Sequence, residues 1–222
     1  KEIWNKLKNN TRFFIGALMI IFIILFIFLI PLIYDYDVWS INPVIRLQPP
    51  FQSGLFKFPL GTDEMGRDFL SRLIYGTRLS LLIGISTTTI AATIGVFIGM
   101  YAGYFGGRFG NLLMRATDII MCYPFTLMAI MVSAILGPGF FTIFIVFSAF
   151  GWTDYARIIN GLTLRIKETE FIEASRAIGA STFRIIFRHI FPNVLYQLIV
   201  LATLQIRIMI LAEATLSFLG IG

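Results

Sequence analysis

From Ile119 to Thr153 the chain carries no charged residue, a stretch too long for one membrane crossing and too apolar to leave in water. A helix needs about 20 apolar residues to cross a bilayer's hydrocarbon core, and Gly137-Pro138-Gly139 offers the natural break, so this run predicts a third and a fourth span. Phe13 to Ile33 forms the first span and Leu79 to Gly103 the second, both free of charge. The fourth must extend past Asp154 and Arg157 to reach full length. Val194 to about Leu219 is the fifth, interrupted by Arg207 and Glu213. Composition agrees: 57% of residues are hydrophobic and only 14% charged, outside the range of a soluble globular domain.

Phe13 to Ile33 is too long for the apolar core of a signal peptide and has no small-residue cleavage site after it, so it reads as a retained span. The sequence begins at Lys1 without a methionine, and the native N-terminus is expected to precede it. The single cysteine, Cys122, has no partner for an intramolecular disulfide and reads as a small apolar residue.

Orientation follows from the positive charges. With the N-terminus inside, twelve of the eighteen Lys and Arg residues fall in inside segments, and five (Arg46, Lys57, Arg67, Arg72, Arg78) in the outer segment. That imbalance favours a cytoplasmic N-terminus. The expected organisation is a cytoplasmic segment 1–12, a first span 13–33, an extracytoplasmic segment 34–78 and a transmembrane core 79–222, with a cytoplasmic loop at about 158–193. The net charge of +6 accords with this topology and with anionic lipid rather than nucleic acid.

In the second span, Ala91, Gly95, Gly99 and Gly103 recur every four residues. Small residues at that spacing let helix backbones approach closely in lipid. The stripe serves packing within the chain, or lines a translocation path or a subunit interface.

The cytoplasmic loop contains the most polar stretch of the second half, Glu173 to Asn193. Thr169 is placed to cap a first helix, Gly179 to end it in a left-handed conformation, and Ser181 to cap a second. Phe171, Ala174, Ser175 and Ile178 share one helical face, as do Phe183, Ile186, Phe187 and Ile190, until Pro192 interrupts. Arg184 and Arg188 lie on the opposite face. A basic helix after Ala177-Ile178-Gly179-Ala180-Ser181 has the outline of a DNA-binding turn, but its broad apolar face and immediate entry into a span argue against that use. An interfacial amphipathic loop with no partner is the plain alternative; docking to a cytoplasmic partner accounts for more of its features.

The order Glu173-Ala174-Ser175, Gly179 and Pro192 resembles the EAA loop of membrane subunits in binding-protein-dependent ABC importers. His189-Ile190-Phe191-Pro192-Asn193 resembles the peptide and nickel branch, and Pro59-Leu60-Gly61-Thr62-Asp63-Glu64-Met65-Gly66-Arg67-Asp68 is similar to a segment of the C-type permease of oligopeptide and dipeptide importers. Gly103-Tyr104-Phe105-Gly106-Gly107, Gly151-Trp152 with Tyr155-Ala156-Arg157, and Leu211-Ala212-Glu213-Ala214 with Leu216 to Gly220 extend the likeness over most of the chain after Pro59.

The resemblance implies an all-α, type I-like importer permease of five transmembrane helices here, with a sixth beyond Gly222. It implies residence in a bacterial or archaeal cytoplasmic membrane, a second homologous permease, two ATP-binding subunits and an extracytoplasmic substrate-binding protein. Its cargo would be an oligopeptide or dipeptide, with nickel or another small solute as the alternative. The loop residues Glu173, Ala174, Ser175, Ala177, Gly179, Ala180, Arg184, His189 and Pro192 would couple to the ATP-binding subunits. Ser175 departs from the family's alanine at the third position, and His189 stands where the wider family often carries an apolar residue.

This chain is not expected to bind ATP-Mg itself: the sequence has no GxxxxGK[ST] phosphate loop, so ATP chemistry is assigned to the partner subunits. An intramembrane hydrolase would need a nucleophile and base or a metal site at membrane depth, and one His with one Cys supplies neither the base nor a metal site of the usual kind. A non-ABC channel or scaffold gives no reason for the capped helix pair. Arg207 and Glu213 remain as intramembrane polar residues, each costing roughly 2.5 to 3.5 kcal/mol on insertion scales. Arg207 is expected to touch substrate, or to pair within the bundle or with the other permease, and Glu213 to accept hydrogen bonds or to form part of an outer gate. Asp118 is expected to pair with Arg115, and Asp154 with Arg157.

Overall fold

A computed structural model describes residues 11–34, 37–52 and 57–221. The chain divides into two compact units, residues 1–79 and 80–222, and its regular structure among the described residues is helical.

In the first unit, α1 (Thr11–Ile33) is an apolar rod with almost its whole circumference exposed. Lipid or protein must cover such a surface. The Arg78 guanidinium donates a 2.8 Å hydrogen bond to the Ile27 carbonyl and lies 5.5 Å from the centre of the Phe28 ring. The segment before α2 (Phe69–Phe105) is built around Asp63. Its carboxylate accepts from the backbone N–H groups of Met65 (2.8 Å) and Arg67 (3.0 Å), and pairs with the guanidinium groups of Arg67 (2.8 Å) and Arg72 (3.0 Å). Burial pushes the carboxyl up, but these backbone donors and the Arg67 charge outweigh it and hold it below the usual carboxylate range. Thr62 donates to the Ile45 carbonyl and accepts from the Gln48 N–H at 3.0 Å. Gly61 and Gly66 are required here, because a Cβ on either would collide with the backbone carbonyl of Gln48 or Asn42. Asp68 caps α2, accepting from the N–H of Ser71 at 2.9 Å and from that of Leu70 at 3.3 Å.

The second unit begins within α2 and continues through α3 (Gly107–Met121), α4 (Phe125–Leu136), α5 (Phe140–Phe150), α6 (Trp152–Lys167), α7 (Glu170–Ala177), α8 (Thr182–Ile185), a π turn (Ile186–Ile190) and α9 (Phe191–Phe218). Among the described residues, three continuous helical stretches are long and apolar enough to cross a membrane: α1, α2, and Thr182–Phe218 as one element. A fourth arises if α3 and α4, bent by 85°, count as one span.

The expected third and fourth spans differ from this in detail. The uncharged run breaks twice, at Gly137–Gly139 as expected and also at Cys122–Pro124. Proline lacks the N–H that would continue a helix, and it pushes the preceding residue out of the α region. The fourth is two helices, α5 and α6, separated only by Gly151, which keeps helical dihedrals. At 1.5 Å per residue the 11 residues of α5 reach about half-way through a hydrocarbon core. The second and fifth spans are longer than expected, because α2 starts at Phe69 and the last helix at Thr182.

The small residues of α2 pack against α6. A Cβ at Gly99 would come 2.6 Å from the Ala156 carbonyl oxygen, and one at Gly103 would come 2.7 Å from the Thr163 Cβ; at Gly95 it would strike Tyr155 and Trp152. Ala91 is fully buried beside Gly151. Hydrogen at these positions therefore sets the distance between two backbones. The expected ion pairs are replaced: Arg157 pairs with Asp118, and Asp154 accepts a 2.7 Å hydrogen bond from Gln205 Nε2.

Candidate functional site

At one end of the second unit, α7, α8 and the π turn form a folded pair fixed to the spans by a single apolar cluster. Val96 and Met100 of α2, Ile159 of α6, Ile172 of α7, Ile185 of α8, Ile190 of the π turn and Val194 of α9 are buried together. Removing an isoleucine side chain from water contributes about 1.5–3 kcal/mol, so Ile172, Ile185 and Ile190 hold the pair firmly.

The backbone between the two helices closes by local rules. Gly179 has φ +80°, its N–H donates to the Arg176 carbonyl (2.9 Å), and the Ala180 N–H donates to that of Ser175 (3.0 Å). This is the left-handed C-cap that favours glycine. Ser181 caps α8 as expected, accepting from the Arg184 N–H at 3.3 Å. Thr169 stands at the N-cap position of α7, but its hydroxyl donates to the Ile166 carbonyl at 2.6 Å. It therefore satisfies the end of α6 rather than the start of α7.

The expected faces are corrected. α7 is anchored by Ile172, while Phe171, Ala174 and Ile178 are exposed, Ile178 at 86%. In the second helix the buried residues are Ile185 and Ile190, and Phe183 (70% exposed) and Phe187 stack on the surface at 4.4 Å. Each apolar stripe is thus only partly covered: Phe171, Ala174, Ile178, Phe183 and Phe187 are exposed, while Ile186 and Ile190 pack in the cluster. Pro192 does not interrupt the second helix. The π turn relieves the clash of its ring with the carbonyl four residues back: the Phe191 N–H bonds to the Ile186 carbonyl five residues back, and helix continues to Phe218. The helix pair and the last span are thus one mechanical element.

Glu173, Ala174, Ala177, Gly179 and Arg184 are all exposed, as are Ile178 and Phe183. Ser175 is half-buried, its hydroxyl donating to the Phe171 carbonyl at 2.8 Å. Ala180 packs on the apolar cluster. His189 is half-buried at 6.1 Å from the Phe171 ring, and its carbonyl accepts from Asn193 Nδ2 at 2.6 Å. Contacts not anticipated from sequence tie the pair and the end of α6 to the end of α2. Lys167 Nζ donates to the Gly103 carbonyl (2.8 Å), Arg176 lies 5.5 Å from the Tyr104 ring centre, and Tyr104 borders the cluster. The signal for the Lys167 and Arg176 contacts was weak, because each joins residues more than sixty apart.

The remaining candidates lie elsewhere. Glu213 is buried and accepts from Ser80 Oγ (2.7 Å) and Ser217 Oγ (2.9 Å). Arg207 is exposed on α9, with no hydrogen-bonding or ionic partner among the described residues. Also among the described residues, no three His, Cys, Asp or Glu side chains group as metal ligands.

Comparison with known proteins gives this geometry its setting. Residues 95–222 match the family described as the inner membrane component of binding-protein-dependent transport systems, and residues 1–50 match the N-terminal transmembrane domain of oligopeptide transport permease C. The chain is 36% identical over 222 residues to the oligopeptide transport system permease protein OppC of Bacillus subtilis, covering all of this chain and 72% of that one. It is 38% identical over 224 residues to the di/tripeptide transport system permease protein DppC of Pseudomonas aeruginosa, covering all of this chain and 74% of that one. An inward-facing structure of the MetNI methionine ABC transporter superposes with a TM-score of 0.59 at 22% identity, over 68% of this chain and 75% of that one, which is a likeness of fold. The multi-pass architecture, the capped helix pair continuous with the last span and these matches together make the chain a member of the binding-protein-dependent transport system inner membrane component family.

Proposed function

We propose that this chain is a permease subunit of an ABC importer that carries peptides across the cytoplasmic membrane of a bacterium or archaeon, driven by ATP hydrolysis on partner subunits. The observation that carries the proposal is the exposed surface of the helix pair. Ile178 and Phe183 stand out at 86% and 70% exposure on a support whose anchors, Ile172, Ile185 and Ile190, are fully buried. Exposed apolar side chains on a rigid mount, interspersed with the exposed charges Glu173, Arg176 and Arg184, favour a protein partner. The peptide cargo is supported by the named substrates of the relatives at 36–38% identity.

In this reading the chain lies with its N-terminus in the cytoplasm and pairs with a homologous permease. Two ATP-binding subunits hold ATP-Mg, and an extracytoplasmic binding protein delivers the peptide. Glu173, Ala174, Ala177, Gly179 and Arg184 form the surface that docks on an ATP-binding subunit. Ser175, Ala180, His189 and Pro192 shape it from behind. When nucleotide closes the partner, this surface moves with it, and the unbroken path from α8 through the π turn to α9 carries that movement into the last span.

The test is disulfide crosslinking from Ala177→Cys to cysteines placed on co-expressed ATP-binding subunits, in a Cys122→Ser background, with and without a non-hydrolysed ATP analogue. A crosslink whose yield changes with nucleotide is expected. No crosslink from Ala177→Cys or from Ile178→Cys, in a complex that still forms, would remove the coupling role. Uptake of labelled trialanine into vesicles holding the whole complex tests the cargo separately.

A further inference from the structure

Between α3, α4, α5, α6 and α9 lies a cavity of about 250 Å³, well away from the helix pair. Its walls are apolar and rich in sulfur, with Met121, Met128, Met209 and Phe150 among them, and the only charged side chain lining it is Asp154.

The Asp154 carboxylate has no cationic partner among the described residues, because Arg157, three residues on, pairs with Asp118 instead. Its hydrogen bond comes from Gln205 Nε2 at 2.7 Å. That contact fixes the amide's orientation, since a carboxylate only accepts and the nitrogen must face it. Gln205 is 4% exposed, and its other atom, Oε1, is buried without a hydrogen-bond partner. A buried acceptor left without a donor is destabilising. The hydroxyl of Thr153, which also lines the cavity, is already committed to the Phe150 carbonyl at 3.0 Å. The cavity thus offers a carboxylate that has no cationic partner, while the Thr153 hydroxyl and one Gln205 N–H are already committed.

Such a site selects a cationic hydrogen-bond donor. Sulfur and aromatic walls lack the ring of oxygens that a hard metal cation demands, but they suit an alkyl chain and favour a cation beside an aromatic face. We propose that this cavity binds a primary ammonium group, with Asp154 supplying the counter-charge. Resting on the peptide reading above, the natural bearer is the amino end of the transported peptide.

Cys122 reports on the site, being exposed and lying between two residues that line the cavity, Met121 and Tyr123. The experiment measures alkylation of Cys122 by N-ethylmaleimide, read by mass spectrometry, in the whole transporter complex in nanodiscs without its binding protein. The probes are n-butylammonium chloride, n-butanol and KCl at equal concentration. Butylammonium, at several times its Kd, is expected to slow alkylation about fivefold. Butanol and KCl are expected to have no effect. Asp154→Asn, which still accepts from Gln205 Nε2, is expected to abolish the protection. Equal protection by butanol would reduce the site to an apolar cavity, protection by KCl would make it an inorganic cation site, and protection unchanged in Asp154→Asn would remove the carboxylate's role. Each of these overturns the proposal, as does no protection by any probe.

A second arm separates this inference from the cargo. Asp154→Asn is expected to lower trialanine uptake about tenfold, equivalent to roughly 1.4 kcal/mol, with ATP hydrolysis retained. Normal uptake in that variant, together with no butylammonium protection in the unsubstituted complex, overturns the site and leaves the peptide reading standing. Protection with no trialanine uptake by the unsubstituted complex overturns the peptide bearer and supports the ammonium site.

Discussion

Ser80 Oγ donates a 2.7 Å hydrogen bond to Glu213 Oε2 across 133 residues of chain, and Ser217 Oγ donates to the other carboxylate oxygen at 2.9 Å. An acidic side chain at membrane depth is thus held by two hydroxyl donors, joining α2 to α9 within the second unit. Glu213→Gln keeps one acceptor oxygen and is expected to assemble. Glu213→Ala removes the acceptor of the half-buried Ser80 hydroxyl and the exposed Ser217 hydroxyl and is expected to cost about 1 kcal/mol. Thermal unfolding of the purified complex in one detergent orders the variants as wild type, Gln, Ala. An unchanged midpoint for Glu213→Ala would show that the carboxylate contributes nothing to α2–α9 packing.

The parts of this fold that were legible in the sequence are those decided by neighbours along the chain. Span positions follow from runs of apolar residues, the turn at Gly179 from the conformation only glycine adopts cheaply, and the Ser181 cap from a hydroxyl three residues before the N–H it accepts. What was not legible depends on distant partners. On α7 two apolar choices compete, the Phe171–Ala174–Ile178 stripe and Ile172 alone, and the core formed by Val96, Met100 and Ile159 selects Ile172. Asp118 meets Arg157 rather than Arg115 because the packing of α3 against α6 brings the two side chains together across 39 residues. The bend at Cys122–Pro124 did have a local signal, Pro124, which the absence of charge around it obscured.

Gly99 tests whether the small-residue stripe sets an interhelical distance. Its missing Cβ would meet the Ala156 carbonyl oxygen at 2.6 Å and the Ile159 Cβ at 2.9 Å, both on α6. Neither can retreat without moving that helix, so Gly99→Ala is expected to cost about 1–3 kcal/mol and to lower the yield of assembled complex. Gly16→Ala, in α1, is the control. No atom lies within 4 Å of its added Cβ, and the helix gains roughly 0.5–1 kcal/mol from the replacement. Equal yields from the two variants would show that α2 and α6 do not depend on backbone contact at this position.

The segment before α2 is expected to loosen in acid through Asp63. Its folded-state carboxyl titrates below the ordinary value of 3.8, so its contribution is present above that value and is lost as pH falls through the lowered one. Amide exchange over residues 61–68, corrected for its intrinsic pH dependence, should therefore hold steady from neutrality to about pH 4 and accelerate below it. Asp63→Asn removes both guanidinium pairs and should exchange faster throughout, without that acid step. An acid step of the same size in the variant would assign it to another carboxylate.

Pro192 fixes the register in which the last span leaves the helix pair. It has no N–H for the carbonyl four residues back, and the π turn before it takes in one extra residue, with the Phe191 N–H reaching the Ile186 carbonyl. Pro192→Ala restores a donor and removes the ring, so an unbroken α-helix becomes available. Taking out the extra residue would turn the exposed Phe183–Phe187 face about 100° relative to α9. The complex is expected to assemble, since Ile185, Ile190 and Val194 keep their apolar character, while stimulation of ATP hydrolysis by the loaded binding protein falls several-fold. Wild-type stimulation in Pro192→Ala would show that coupling tolerates either register, and that the π turn accommodates the proline without serving the lever.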